Sequence, residues 1–298
     1  MEIAVENISK SLDEEIIFQD ISFNTSPGKV TGILGSKDIG KTTLVRIILD
    51  IVRPDSGMVL FNEKQMSPHV RKVIGYLPEQ RGVFQKQKLL QVLCYYGQLK
   101  NMSWKKAHVE AIRLLDRFDM IDFIDSPVGT LSVNLKQRLY LLVSILNNPQ
   151  ILILDEPFLG MDPLNQNLLQ KTINQFRGDG KNIIIATKQI NEAEKLCDDI
   201  LFLYNGKIEL NGSIEKVRDN FRAHLVIVET DNNLRALKNI KGVKKFLIEK
   251  QTAKLFVDDK ITPKEILGEI INTVNASKIE VKRPSLNDIF NDVIQNGN

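Results

Sequence analysis

An α/β fold built around a phosphate-binding loop, with a small α+β domain appended, is what the sequence predicts, and three observations carry that prediction. A short apolar run, VTGILG at 30–35, leads into Gly35-Ser36-Lys37-Asp38-Ile39-Gly40-Lys41-Thr42, a match to GxxxxGK[ST], and then into the helically spaced LVRIILDIV. A second apolar run, ILILD, ends in the adjacent carboxylates Asp155 and Glu156. Near residue 220 the pattern restarts as strand, helix, strand, strand, helix, strand, a split βαβ order. The 298 residues are enough for two domains, expected at 1–220 and 221–298.

The elements follow in order. IAVENI and IIFQDISFNTSPGKV read as antiparallel strands joined by a polar turn at Ser11 to Glu15, with Ile17, Gln19 and Ile21 on one side and Phe18 on the other. PDSGMVLFNEKQ reads as a hairpin strand and VRKVIGYLP at 70–78 as a strand closed by Pro78. From about 84 to 148 the apolar spacing turns helical in LLQVLCYYGQLK, SWKKAHVEAIRLLDRFDM and KQRLYLLVSILNN, which implies a helical insertion. Strand QILILDEP, helix DPLNQNLLQKTINQFRGDG ending at Gly178 and Gly180, strand KNIIIAT, helix NEAEKLCDD and a hairpin turning at Asn205-Gly206 complete the first domain. AHLVIVE, NLRALKNI, KKFLIEK, AKLFVD, PKEILGEIINTV and KIEVKR form the second, closed by the helix SLNDIFNDVI.

Composition narrows the function. At 43% hydrophobic and 26% charged the chain is an ordinary globular protein, not a collagenous or low-complexity one. A net charge of +3, all of it in residues 221–298 where 13 basic side chains face 10 acidic ones, gives no nucleic-acid partner. The longest apolar runs, such as LYLLVSIL, are too short to span a bilayer, and the acidic N-terminus lacks a secretory pattern, so a cytoplasmic location is expected. Cys94 and Cys197 form no CxxC, and His69, His108 and His224 are scattered, which argues against a disulfide scaffold or a zinc site.

The loop at 35–42 fits phosphate because backbone N–H groups of a compact loop close around anionic oxygens at the positive end of a helix. Lys41 would reach the β- and γ-phosphates of a nucleotide and Thr42, followed by Thr43, would offer a hydroxyl to Mg²⁺. Asp155 at the second strand's end would hold the same Mg²⁺, with Glu156 orienting or deprotonating the attacking water. In parallel sheets ligands gather at the carboxyl ends of strands, so the two motifs can converge despite their separation.

With both motifs in view, residues 1–220 resemble the ATP-binding subunit of an ABC transporter. Leu131-Ser132-Val133-Asn134-Leu135 takes the place of the family's signature, FLGMDP with Asp162 that of the D-loop, and YLPEQ with Glu79 that of the Q-loop. The tail is similar to the appendage of sodium-efflux, antibiotic-export and multidrug exporters. The resemblance implies an α/β P-loop NTPase of ABC type, with a RecA-like core, an antiparallel β subdomain and an α-helical subdomain. It also implies ATP and Mg²⁺ as cofactors, membrane-spanning permease subunits, and a homodimer or heterodimer of ATP-binding subunits packed head to tail. In that dimer the signature with Ser132 would close over the nucleotide held by the partner, and the resemblance also counts Glu79 and Asp162 among the nucleotide-binding residues. The location it implies is peripheral, on the cytoplasmic face of the membrane.

Five departures modify these expectations. Asp38 replaces a loop glycine, Leu12 stands where an aromatic ring stacks on adenine, Val133 and Asn134 replace the signature glycines, Leu135 its glutamine, and Lys188 the switch histidine. A lysine can donate to a γ-phosphate but lacks an imidazole's paired donor and acceptor. Two readings follow: an ATPase motor of reduced turnover, with Glu156, Lys41 and Lys188 as catalytic groups, or a nucleotide clamp deficient in hydrolysis beside a better-equipped sister subunit.

Overall fold

Two antiparallel strands open the chain in the computed structural model, β1 (Ile3–Leu12) and β2 (Glu15–Thr25). Their register shifts between Ile8↔Ile21 and Lys10↔Phe18, where Asp20 adopts φ +51°. The extra residue turns the alternation over, so Phe18, Ile21 and Phe23 are all buried while Gln19 is exposed and Ile17 only half-buried. Simple period-two alternation therefore misplaces Phe18 and Ile17. All residues are described except 14, 81, 83, 222, 231–233, 259, 260, 297 and 298.

Across the glycine loop lie β3 (Val30–Leu34) and α1 (Lys41–Ile48), and β4 (Ser56–Phe61) returns to pair with β1, giving an antiparallel sheet of order β2-β1-β4. The strand expected over 70–78 is shorter. Ser67 accepts a hydrogen bond from the Val70 N–H and Pro68 sits at the first position, so α2 (Pro68–Lys72) forms before β5 (Ile74–Leu77). The helical insertion holds α3 (Leu89–Leu99), α4 (Trp104–Arg117) and α5 (Val133–Ile145), with Ser103 and Ser132 capping the last two. Then come β6 (Ile151–Asp155), α6 (Pro163–Gly178), β7 (Asn182–Thr187), α7 (Ile190–Leu196), β8 (Asp199–Tyr204) and β9 (Lys207–Ser213).

Five of these strands form a parallel sheet of order β5-β6-β7-β3-β8, and β9 adds antiparallel at its edge. Every residue of β3, β6 and β7 is buried, as a sheet covered on both faces requires. The Asn205-Gly206 turn, both residues at positive φ, closes the β8–β9 hairpin, and its Gly206 carbonyl accepts the Gln19 N–H at 2.9 Å. Phe18, Ile21 and Phe23 join Ile33, Ile153, Ile184 and Leu201 in one core. Since β3 and β6 run parallel with β7 between them, their carboxyl ends, Leu34 and Asp155, face the same edge.

Compact packing divides between Ser213 and Ile214. The second unit begins with α8 (Ile214–Asn220) and continues through β10 (Ala223–Glu229), β11 (Val243–Glu249), β12 (Thr252–Asp258), α9 (Pro263–Thr273), β13 (Lys278–Lys282) and α10 (Leu286–Asn296). Its sheet is antiparallel, of order β11-β12-β10-β13. The first helix of the split βαβ order is a 3₁₀ helix, Leu234–Asn239. Leu234, Leu237 and Ile240 recur every third residue, the 3₁₀ repeat, and all three enter the core with Val226, Val228, Ile266 and Ile270.

Gly75 shows how tightly the insertion seats on the sheet. A Cβ there would collide with the Ser144 carbonyl of α5 and approach Pro149 Cγ to 2.7 Å. Gly75→Ala is expected to destabilise the first unit by about 1–3 kcal/mol, read as a fall in its thermal midpoint; an unchanged midpoint would show that α5 can move away freely.

Candidate functional site

The loop after β3 ends at Gly40, which caps α1 with φ +99°; a Cβ there would press on Ile17 and the Phe18 ring, so glycine is required twice over. No side chain caps α1 and no acid lies in its first turn, which leaves the positive helix end for an external anion. Lys41, the first helical residue, is 5% exposed. Its ammonium donates to the carbonyls of Ser36 at 2.7 Å and Gly35 at 3.1 Å and lies 3.5 Å from Glu156 Oε1.

Glu156 meets it from the end of β6 at φ +43°, a left-handed backbone uncommon for this residue type. The Thr187 hydroxyl donates to Oε2 and the Lys188 N–H to Oε1, each at 3.0 Å, so the end of β7 fixes the carboxylate. Asp155, one residue earlier, is fully buried, and neither of its oxygens has a hydrogen-bond partner. Burial pushes its pKa up to about 6, reinforced by Glu79 and Glu156 and opposed by the nearby Thr42 hydroxyl and Lys41. The same setting pushes the Tyr76 phenol up to about 12, through burial first and Asp155 second.

A cleft of about 300 Å³ opens over these groups, lined by Leu12, Ile17, Lys37, Asp38, Gly40, Lys41, Thr42, Thr43, Arg46, Glu79, Gln80 and Glu156. It unites most of the residues singled out in the sequence. Gly35 and Ser36 take part through their carbonyls, Asp155 lies beneath, and Ile39 packs against the core instead. Lys188 contributes its backbone N–H, while its side chain is exposed and does not line the cleft. Ser132 and Asp162 stand apart from it, capping α5 and α6. Arg46 and Ile17 escaped notice; Arg46 lies one helical turn after Thr42, and that spacing would have found it. A larger groove of about 740 Å³ runs along α4, but its Arg113 is paired with Glu110 and its Arg117 donates to Gln175.

The chain as a whole matches known proteins. The family model described as ABC transporter matches residues 18–159, and one described as ATP-binding protein DrrA1-3-like, C-terminal domain, matches 212–294. An ABC transporter ATP-binding protein of Alkalihalophilus pseudofirmus, itself uncharacterized, is 33% identical over 87% of this chain and 97% of its own. The chain belongs to the family of ABC transporter ATP-binding proteins. Nod factor export ATP-binding protein I of a Rhizobium species is 27% identical over 97% of this chain and 95% of its own. A solved ATP-binding subunit of an ABC transporter superposes with a TM-score of 0.69 over 74% of this chain and 93% of its own, at 24% identity, which shows the same fold.

This ABC protein is thus an ATP-binding subunit of the ATPase type that works with membrane permease subunits. Among the described residues no helix is long and apolar enough to cross a membrane. The orphaned Asp155 carboxylate beside the Thr42 hydroxyl suits a hard cation such as Mg²⁺. Without a cation, ionising Asp155 opposes folding: a carboxyl pKa raised from 3.8 to about 6 removes stability as pH climbs through that window, about 3 kcal/mol by pH 7. Asp155→Asn is therefore expected to melt several degrees higher than the native protein at pH 7.5 without nucleotide, and to gain nothing from Mg²⁺ when nucleotide is added. A lower melting point for the variant would contradict the orphaned-carboxylate account.

Proposed function

We propose that this subunit binds ATP with Mg²⁺ in the cleft over residues 35–43, hydrolyses it slowly, and couples it to export through separate membrane subunits. The observation that carries the reading is the buried contact of Lys41 with Glu156 at 3.5 Å, beneath an uncapped helix end. Incoming phosphates would draw the Lys41 ammonium off the Gly35 and Ser36 carbonyls and off Glu156. Glu156, still held by Thr187 and the Lys188 N–H, is then free to accept a proton from an attacking water. A Mg²⁺ held by Thr42 and Asp155 would neutralise charge on the phosphate oxygens. Leu12, half-exposed at the cleft mouth with Ile17, offers adenine an aliphatic surface instead of an aromatic ring.

Export is supported by the Nod factor export relative, whose similarity runs through the C-terminal unit. The placement of Ser132 and Asp162 outside the cleft supports a head-to-tail dimer in which they serve a partner's nucleotide. A permease contact is best supplied by residues 84–99, where Phe84 and Tyr95, both about half exposed, meet edge-on at 5.4 Å. That docking would hold the subunit on the cytoplasmic face of the membrane.

Slow turnover follows from Lys188, whose ammonium lies outside the cleft, and from Val133, 70% exposed where the family has glycine. The same two features favour the second reading, a nucleotide clamp that leaves hydrolysis to a sister subunit. Equilibrium binding of a labelled ATP analogue separates the first step from the rest. Lys41→Ala should bind at least tenfold more weakly, and so should Lys41→Ala/Glu156→Gln, which leaves no unpaired carboxylate; equal affinity in all three would refute the site. Phosphate release then separates the two readings. Weak activity that Lys188→His raises and Glu156→Gln abolishes supports a slow motor, activity absent from both the isolated chain and Lys188→His supports the clamp, and vigorous activity indifferent to Lys188→His overturns both.

A further inference from the structure

At position 134, where the family's signature has a glycine, this chain carries a side chain, and that side chain makes a bond. Asn134 Nδ2 donates to Asp162 Oδ2 at 2.6 Å, while Asp162 Oδ1 accepts the Asn165 N–H at 2.7 Å and so caps α6. Asn165 answers from the other side, donating to the Asn134 carbonyl at 3.1 Å and accepting from Arg138 Nε at 2.7 Å. Gln137 Nε2 adds a bond to the Gly160 carbonyl at 2.7 Å. Asn165 and Gln137 are buried. The first two turns of α5 are thus strapped to the loop between β6 and α6.

That loop begins at Glu156. Leu159 N–H reaches back to the Glu156 carbonyl at 3.3 Å and Met161 N–H to the Phe158 carbonyl at 3.2 Å, so consecutive turns connect the carboxylate opposite Lys41 with the Asp162 cap. A continuous run of local bonds therefore leads from Glu156 to the Asp162 cap and across it to α5. A glycine at 134 would lose the direct bond to Asp162 and keep the contacts of Asn165, Gln137 and Arg138.

Resting on the reading of the cleft as a nucleotide site, we propose that Asn134 is a positioning residue: it locks the start of α5 to Asp162 so that the nucleotide state felt at Glu156 is transmitted to α5 within one subunit. The bond is a carboxylate-assisted one, strong for its size. Because Asn134 itself is exposed, its loss leaves the core intact.

The test is hydrogen exchange of residues 131–138, with and without a slowly hydrolysed ATP analogue and Mg²⁺, at a concentration where light scattering shows a monomer. Nucleotide affinity is measured in parallel. In the native protein nucleotide should slow exchange there by about fivefold, the change expected when a segment gains about 1 kcal/mol against local opening. Asn134→Gly and Asn134→Asp should bind nucleotide with unchanged affinity and lose the response. The exchanged pair Asn134→Asp/Asp162→Asn should regain it, because the new amide can cap α6 through its oxygen and donate to the new carboxylate, restoring the bond with its polarity reversed. A purely structural role would not follow that pattern. The proposal is overturned if Asn134→Gly responds as the native protein does, if the native protein binds nucleotide without responding, or if the exchanged pair binds nucleotide and stays silent. Absence of nucleotide binding by the native protein would sink the cleft reading, and the proposal with it.

Discussion

Lys41 and Glu156 carry opposite charges into a place almost sealed from water, and much of the first unit is arranged so that they can be there together. Each is about 5% exposed. A buried charge without a partner is strongly destabilising, and removing one member of such a pair typically costs about 3–5 kcal/mol. Bringing them together requires β3 and β6 to be parallel and to end at the same edge, with β7 between them to supply the Thr187 hydroxyl and the Lys188 N–H. Gly40 must let α1 start under Phe18 and Ile17, which ties the antiparallel sheet to the same spot. The bulge at Asp20 is part of this geometry, since it is what turns Phe18 inward.

The pair also explains how a site can be both stable and ready to change. Lys41 shares its protons among two carbonyls and one carboxylate, none of which neutralises Asp155 behind them. Phosphate oxygens and a cation would satisfy all of these groups better than they satisfy one another, so binding energy has somewhere to go. The consequence reaches outward along the chain itself: Glu156 is the first residue of the loop that Gln137 and Asn134 hold from α5.

The loop before α1 was legible because its signal is local: glycines, a lysine and a threonine at fixed offsets predict the buried strand, loop and helix that the structure has. The carboxylate pair was legible for a similar reason, a strand apolar from end to end that stops in two acids. What escaped was everything set by contacts between distant segments. The inward turn of Phe18 depends on a one-residue register shift that no alternation can reveal. The short α2 was hidden in an apparent strand because Val70 and Val73 suit either structure, and only the Ser67-Pro68 start decides it. NLRALKNI has helical composition, yet its apolar residues repeat by three, and the tighter helix is the one that buries all of them. Asn134 read as the loss of a glycine, since nothing in the sequence says that Asp162 lies 2.6 Å away.

Most of the positions where the resemblance to the family fails are exposed, while Leu135 is half-buried. Asp38 takes φ +63°, is 85% exposed and lies 3.9 Å from Lys37, so its carboxylate remains in water at the rim. Leu12, Val133, Asn134 and the Lys188 side chain are exposed as well. Lys41, Asp155, Glu156 and Thr187 are buried together, and exchanging either Lys41 or Glu156 alone would strand the other's charge. Exposed positions carry no such penalty: a side chain there can change without stranding a buried charge. At Lys41 and Glu156 folding and the proposed phosphate chemistry thus depend on the same buried atoms, and at the exposed positions they do not. Leu12 and Asp38 can therefore stand at the rim of the cleft while the buried contact of Lys41 with Glu156 keeps its place beneath them.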